Sequence, residues 1–352
     1  MQERELTSLC HSKKSLRSSV GILALRSPHG EGLDPVAASY YHIVAPSSSL
    51  IEGTLYPARV IGEDILLWRT GKTVHAWRDL CIHRGARLSL GTINGDTLTC
   101  AYHGWSYRAD GRCVTIPAHP GQSPPIKARV KAYDVEEKYG YVWIRLRAEG
   151  CKVPDFPEWG RKGYRLIHCG PYFVKASAPR LVENFLDVAH LPFVHEGLLG
   201  DRAHAKIEDY EVITDDQGIT AKNIKVWQPD PDGTGVGSSV TYTYRVFTPF
   251  TCYFVKDSEK KGFSIFCSVT PIDAVSSMMW MIIAMNYSYD VPPEQIRSFE
   301  DKIVSQDVRV VESQRPELLP LDLQAELHLR SDKTAIEYRR WLKKLGLAFG
   351  TG

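Results

Sequence analysis

Four residues in one stretch, Cys81, His83, Cys100 and His103 of CIHRGARLSLGTINGDTLTCAYHGW, have the types and spacing of metal ligands. Each of two short loops offers one thiol and one imidazole, as Cys-x-His and Cys-x-x-His, and the sixteen residues between them carry their own Asn-Gly hairpin signal. Two thiolates and two imidazoles could hold a structural zinc ion. Zinc sites, however, usually pair cysteine with cysteine and histidine with histidine. Mixed loops suit a Rieske 2Fe-2S cluster, in which two cysteines hold one iron and two histidines the other. Gly85 and Gly104, close after the histidines, fit loops whose backbone passes near a cluster and donates N–H groups to sulfur. Zinc remains the alternative reading.

A second candidate group lies in ENFLDVAHLPFVHEG, residues 183–197, which places Asn184, Asp187, His190 and His195 in an apolar run. Residues five apart on an ideal helix point about 140° away from each other, so His190 and His195 could share one ion only if the helix were distorted. Pro192 between them is expected to kink it. Asn184 and Asp187 stack on the His190 face at spacings of three. Two histidines alone are more often core or surface residues than ligands, so a third ligand decides. In QIRSFEDKIVSQDVRVVESQ the apolar face runs Phe299, Ile303, Val310 and Val311, with Asp307 in the turn after Ile303. A buried aspartate needs a partner, and a metal would be one; an N-cap, a salt bridge or a frayed helix edge would also account for it. Glu312 is a rival ligand, nearer the polar face. Two histidines and one carboxylate form the set that holds a mononuclear non-haem iron with open positions.

The elements that must position these residues fall into two blocks. From Tyr40 to about Arg147, short β-like runs such as ARVIGEDILLWR and YGYVWIRLR alternate with turn signals, Asn94-Gly95 and Asp110-Gly111 among them, which reads as a small all-β domain over 39–150. The Pro-rich KVPDFPEWG, 152–160, marks a boundary. A helical segment around 180–200 follows, then longer alternating strands, then helix-like runs over 293–314 and 332–345, the last with Ser331 as N-cap and Gly346 as stop. Strands in a block with flanking helices imply an α+β domain over 151–352. Its inner sheet face, within 240–286, is expected to line the pocket. Residues 1–38, rich in Ser, Lys and Arg, read as a flexible extension.

Bulk properties narrow the function. A chain of 352 residues has room for two cores, and 43 basic against 41 acidic residues give a net charge of +2, so no nucleic-acid partner is expected. No apolar run reaches the roughly 18 residues of a membrane span; SMMWMIIAM, 277–285, is short enough to be a buried strand. Lys13, Lys14 and Arg17 before VGILAL faintly resemble a secretory signal, but the apolar run has only six residues and Glu3 and Glu5 precede it. Eight cysteines without dense spacing suggest a reducing cytoplasm; Cys10, Cys113, Cys151, Cys169, Cys252 and Cys267 read as small buried hydrophobes or spectators. There is no internal repeat. No G-x-G-x-x-G follows a strand, so a nicotinamide cofactor is expected to bind another protein.

Taken together, CIHRGARLSLGTINGDTLTCAYHGW, ENFLDVAHLPFVH and QDVRVVESQ resemble the oxygenase component of Rieske non-haem iron oxygenases, over nearly everything after about residue 40. Within that family, CVTIPAHPG, FPEW, QDVRVVESQRPELLPL and SDKTAIEYRRWLKKLG are similar to saxitoxin-biosynthesis hydroxylases, and RLSLGTINGDTLTC to methylxanthine demethylases. Ile82 stands where many relatives have proline. The resemblance implies a catalytic domain of helix-grip type with an antiparallel sheet. It implies a 2Fe-2S cluster on Cys81, His83, Cys100 and His103 and a mononuclear Fe(II) on His190, His195 and Asp307, with Asn184 beside the iron. It implies that Asp187 links His190 to a cluster histidine, His103, of a neighbouring subunit in a homotrimer. The expected activity is a monooxygenase using O2 and electrons from NAD(P)H, passed by a ferredoxin or flavin reductase, that hydroxylates or N- or O-demethylates a small, nitrogen-containing molecule. A cis-dihydroxylating dioxygenase of an aromatic ring is the alternative; an electron carrier and a zinc-stapled binding protein are rivals from other classes.

Overall fold

The computed structural model describes residues 32–257 and 261–352. The first block builds ten strands in two sheets. Strands β1 (His42–Pro46), β2 (Leu55–Val60), β3 (Glu63–Thr70), β4 (Thr73–Arg78), β9 (Ala132–Lys138) and β10 (Tyr141–Arg145) form an antiparallel sheet in the order β1-β10-β9-β4-β3-β2. Inserted between β4 and β9 is a four-stranded meander, β5 (Thr92–Asn94), β6 (Thr97–Thr99), β7 (Ser106–Arg108) and β8 (Cys113–Thr115). Its core is Leu66, Trp68, Trp77, Leu88, Leu98 and Tyr107, with the two tryptophan rings edge to face at 5.0 Å. The β5–β6 hairpin forms as expected, but one residue along: Asn94 pairs with Thr97 inside the ladder, so Gly95-Asp96 is the turn centre and only Gly95 has positive φ, +61°. That is the pattern of a turn needing glycine at its first central position.

The second block is one seven-stranded antiparallel sheet with helices. Its strands are β11 (Arg165–Val174), β12 (Glu211–Asp215), β13 (Gly218–Gln228), β14 (Ser238–Thr248), β15 (Thr251–Asp257), β16 (Phe263–Asp273) and β17 (Ser276–Met285), in the order β11-β17-β16-β15-β14-β13-β12. The helices are α1 (Ala178–Leu186), the single turn α2 (Leu191–Val194), α3 (Pro293–Val311) and α4 (Lys333–Leu345). The sheet and helices make the α+β domain of the helix-grip type. The apolar run 277–285 is β17, and its lack of alternation has a packing cause. Trp280, Ile282 and Ala284 pack against Tyr141, Trp143 and Phe266 of the other sheet and strand β16, while Met279, Met281 and Ile283 face a cavity under α3. Both faces are covered, so neither needs to be polar.

The two blocks are tied by hydrogen bonds. Ile61 N–H donates to the Pro271 carbonyl at 2.7 Å and Gly62 N–H to the Ile272 carbonyl at 2.8 Å. The Pro-rich 152–160 stretch is not a solvated linker: Val153 and Phe156 are buried in the seam, and Glu158 accepts the Tyr253 hydroxyl at 2.8 Å. Residues 1–31 of the expected extension lie outside the described residues. Asp34 is buried and accepts N–H groups from Val36, Ala37, Ala348 and Phe349, so residues 34–38 are anchored to the C-terminal segment instead of extending freely. At α4, a 3-10 turn over Arg330–Asp332 moves the N-cap from Ser331 to Asp332, while Gly346 is the expected stop at φ +77°. Cys113, Cys169, Cys252 and Cys267 are buried thiols; Cys151 is half-buried and is not among the free thiols, and Cys10 lies outside the described residues. Among the described residues, no helix is long and apolar enough to cross a membrane.

Candidate metal centres and cavity

One Cys/His loop leads from β4 toward the meander and the other joins β6 to β7, and the two share one backbone design. Cys81 N–H donates to the Ala86 carbonyl at 2.7 Å and Gly85 N–H to the Cys81 carbonyl at 2.9 Å; Cys100 N–H donates to the Trp105 carbonyl at 2.9 Å and Gly104 N–H to the Cys100 carbonyl at 3.0 Å. The turn needs a left-handed residue at its end, and Gly85 and Gly104 supply it at φ +69° and +70°. A Cβ at Gly104 would also sit 3.0 Å from Pro117 Cγ. Both cysteines are buried, and burial with the neighbouring Cys81 thiol pushes Cys100 above the ordinary thiol range in the metal-free protein. The Tyr107 hydroxyl lies 3.0 Å from Cys81 Sγ. His83 stacks on Trp105 at 4.5 Å and meets His103 at 4.6 Å between ring centroids.

These loops fit a two-iron cluster on two observations. His83 Nδ1 is buried without a hydrogen-bond partner, an orphan that a metal would satisfy. The four donors also do not converge within 4.8 Å of one another, whereas another trio of residues does. A tetrahedral zinc would require such convergence; a cluster spreads its cysteines and histidines over two irons.

The converging trio is His190, His195 and Asp307. Asp307 Oδ1 lies 3.3 Å from His190 Nε2 and 3.1 Å from His195 Nε2, and the two nitrogens are 3.3 Å apart. The expected kink at Pro192 takes another form. Helix α1 ends at Leu186, Asp187 turns out with ψ 123°, and Pro192 sits in the first turn of the new helix α2, a position where its missing N–H costs nothing. His190 is the N-cap of α2 and His195 its C-cap with non-helical ψ 35°, which lets rings five residues apart meet. On α3 the buried stripe is Glu300, Ile303, Val304 and Val311, with Asp307 mostly buried; Phe299 and Val310, expected on the apolar face, are over 40% exposed at 44% and 43%. The rival Glu312 is outside the trio: its Oε1 accepts the Lys175 N–H at 2.9 Å.

The surroundings orient the trio. Gln306 Oε1 is 2.8 Å from His195 Nδ1, and Asn184 Nδ2 reaches toward Asp307 Oδ1 at 3.4 Å. Asp187 accepts the Ala189 N–H at 2.7 Å with one oxygen and places the other 3.3 Å from His190 Nδ1. That contact is close enough for an ion pair but lacks hydrogen-bond geometry. Burial works against charge on His190, but Asp187 and Asp307 outweigh it and carry the imidazole up to about 9. Burial likewise disfavours the Asp307 carboxylate, yet His190 and His195 hold it down to about 2. A carboxylate kept ionised against two imidazoles is the donor set of a 2-His-1-carboxylate iron site.

The trio forms part of the wall of a cavity of about 250 Å³ between the sheet and α3. Its walls include Tyr242, Tyr244 and Phe254 from the sheet and Ile303 from α3, with Gln228, Lys256 and Glu300 as polar groups. Gln228 donates to the Tyr242 hydroxyl at 2.8 Å, and burial lowers Lys256 to about 8. On the other side of Asp187 a second hollow opens, lined by His190, Tyr210, Leu327 and Arg339. Asp187 therefore has one face toward the cavity and one toward this outer hollow. Gln306, Tyr107 and Glu300 were not singled out in the sequence. Glu300 was legible in principle, since seven residues before Asp307 is the same helix face.

Comparison with known proteins agrees with this architecture. Residues 40–134 match the Rieske [2Fe-2S] domain, and residues 174–348 match the vanillate O-demethylase oxygenase C-terminal domain. Methylxanthine N1-demethylase NdmA of Pseudomonas putida is 32% identical over 302 residues, covering 84% of this chain and 83% of that protein. Methylxanthine N3-demethylase NdmB of the same organism is 30% identical over 303 residues, 82% of each. The structure of P. putida NdmA with caffeine superposes with a TM-score of 0.74 at 30% identity, over 87% of this chain and 90% of that one. The chain belongs to the Rieske non-haem iron oxygenases, oxidoreductases that carry a Rieske 2Fe-2S cluster and a mononuclear iron and use O2 with electrons from NAD(P)H delivered by a separate reductase.

Proposed function

We propose that Cys81, His83, Cys100 and His103, in a domain of residues 39–150, hold the cluster, and that His190, His195 and Asp307, in a domain of residues 151–352, hold the catalytic iron. The observation that carries this reading is the meeting of two imidazoles and one carboxylate within 4.8 Å in the wall of a cavity. The substrate would be a small nitrogen-containing molecule, hydroxylated at a C–H bond or relieved of an N- or O-methyl group as formaldehyde. The likeness to methylxanthine demethylases over most of both chains supports this.

When bound, the cluster supplies electrons and the iron a centre at which oxygen is activated. The chain's own residues set the stage. The Asp187 carboxylate, 3.3 Å from His190 Nδ1, would favour a proton on that nitrogen by its charge and leave Nε2 to face the metal, and Gln306, hydrogen-bonded to His195 Nδ1 at 2.8 Å, would orient the second ring. Asn184 stands beside the site without serving as an ordinary ligand. The apolar and aromatic walls exclude water and hold a flat molecule.

Electron delivery would cross a subunit boundary. Ile82 and Tyr102, at the tips of the two cluster loops, are 50% and 65% exposed, and Leu327 and Leu329, in the segment that rims the hollow beside Asp187, are 88% and 63% exposed. A head-to-tail contact of one tip with the next protomer's rim would be heterologous; with a rotation of a third of a turn it would close into a ring of three and place His103 of a neighbour against Asp187. A cytoplasmic setting, where an NAD(P)H-fed ferredoxin or flavin reductase works, completes the proposal. The test is turnover of a panel of N-methyl and O-methyl heteroaromatics with such a reductase. Formaldehyde or a mono-hydroxylated product supports the reading; cis-diol products would shift it to the dihydroxylating alternative.

A further inference from the structure

Among the described residues lining the cavity, Glu300 is the carboxyl that makes no hydrogen bond. It is only 7% exposed, it lines the cavity, and among the described residues it makes no hydrogen bond or ion pair. Its neighbours are committed elsewhere. Arg297, one turn earlier on α3, donates to the His168 carbonyl at 3.0 Å, and Asp301 accepts the Tyr172 hydroxyl at 2.6 Å. Lys256 turns to the Pro231 carbonyl, and Gln228 to Tyr242. The Glu300 carboxyl is not among the sealed, unpaired polar atoms of the core, so it offers its hydrogen-bonding capacity to whatever occupies the cavity.

We propose that the Glu300 carboxyl selects the substrate by pairing with an N–H-bearing edge, of the amide, amidine or guanidine kind, on the molecule in the cavity. The inference rests on reading that cavity as the substrate site. Two features beyond the missing partner support it. Glu300 and Asp307 are seven residues apart on one face of α3, two turns or about 10 Å along the axis, so a molecule of one or two rings held at Glu300 has its far end beside Asp307. Burial, then the nearby Asp307 and Asp301, push the carboxyl up to about 8, so near neutrality it can donate one hydrogen bond and accept another. A neutral amide edge would match the protonated acid; an amidinium or guanidinium would repay ionisation by bringing its own charge.

Calorimetry on the iron-loaded holoenzyme with three probes of one shape tests this: benzamide, benzamidine and acetophenone, which lacks the N–H. The wild type should bind one or both N–H probes at least about tenfold more tightly than acetophenone, and Glu300→Leu should remove that preference. Glu300→Gln separates the two charge states, keeping benzamide if the edge is neutral and losing benzamidine if it is cationic. Equal binding of all three probes by the wild type, or a preference that survives in Glu300→Leu, overturns the proposal. So would a lowered melting temperature in both variants, which would make Glu300 structural; removing an unpaired buried acid should leave melting unchanged or raised. Loss of oxygenation for every compound would sink the catalytic reading and leave this binding result standing.

Discussion

Iron and a proton compete for His190, and the competition can be quantified. In the metal-free protein burial opposes its charge, but Asp187 and Asp307 prevail and hold the proton up to about 9. A ring bound to iron through Nε2 cannot keep a proton there, so loading must expel one, and below pH 9 each pH unit should cost about tenfold in iron affinity. From pH 8 to pH 6 the loss is about a hundredfold. Asp307, held at about 2 by the histidines that outweigh its burial, adds nothing to the slope in this range. The same shift, 9 against 6.5, is worth about 3 kcal/mol to the metal-free fold. That stability is fully present below pH 6.5 and is lost as pH rises through 9. The Asp307 contribution, from the same pair and so not additive, is present above pH 3.8 and is lost as pH falls through 2. Metal-free and iron-loaded protein should therefore respond to pH in opposite directions. Iron affinity, read by competition with a chromophoric chelator from pH 6 to 9, should rise while the metal-free melting temperature falls. Asp187→Asn removes one of the two carboxylates and should end the rise at lower pH. An iron affinity flat from pH 6 to 8 would refute the reasoning.

Other outcomes follow from the same contacts. Asp187→Asn or Ala should leave both metal centres occupied by iron analysis yet lose most reductase-driven O2 consumption, because the route to His190 is cut; retained turnover would count against that route. Tyr107→Phe removes the hydroxyl 3.0 Å from Cys81 Sγ and should lower the cluster potential measured by voltammetry, whereas an unchanged potential means the contact is not a hydrogen bond to the cluster. Arg339, 3% exposed, ties Glu183 of α1 to Glu326, and Arg339→Met leaves the buried Glu183 with only Arg180 at 3.9 Å, while Glu326 keeps its 2.8 Å pair with Arg180. Denaturant unfolding should show a loss of about 1.5–3 kcal/mol, the range for lost hydrogen bonds to a charged group, and a loss under about 1 kcal/mol would mean that Arg180 takes over the pairing.

The sequence marked the candidate ligands more clearly than their settings. Cys81, His83, Cys100 and His103 were legible because two loops with one thiol and one imidazole each have few other uses. Asp307 was legible from helical phase, although the stripe it lies on is centred on Glu300, Ile303 and Val304, and Phe299 is at the exposed edge. Pro192 was read as a kink because periodicity carries through it, but the chain stops α1 at Leu186 and restarts, a choice made by packing. The unbroken apolar run of β17 concealed which side chains face the cavity, since both of its faces are buried. Residues 34–38 looked like part of a loose tail because their anchor, Asp34, caps N–H groups more than 300 positions away, at Ala348 and Phe349. Contacts of that range leave no local signal.

On the proposed reading the chain carries two separate metal centres, one of them on His190, His195 and Asp307. The most direct test is iron content with a Rieske spectrum, wild type against Asp307→Ala. The wild type should hold about three irons per chain, and the variant about two with the spectrum intact. Two irons in both proteins, or loss of the cluster spectrum in Asp307→Ala, would contradict the reading.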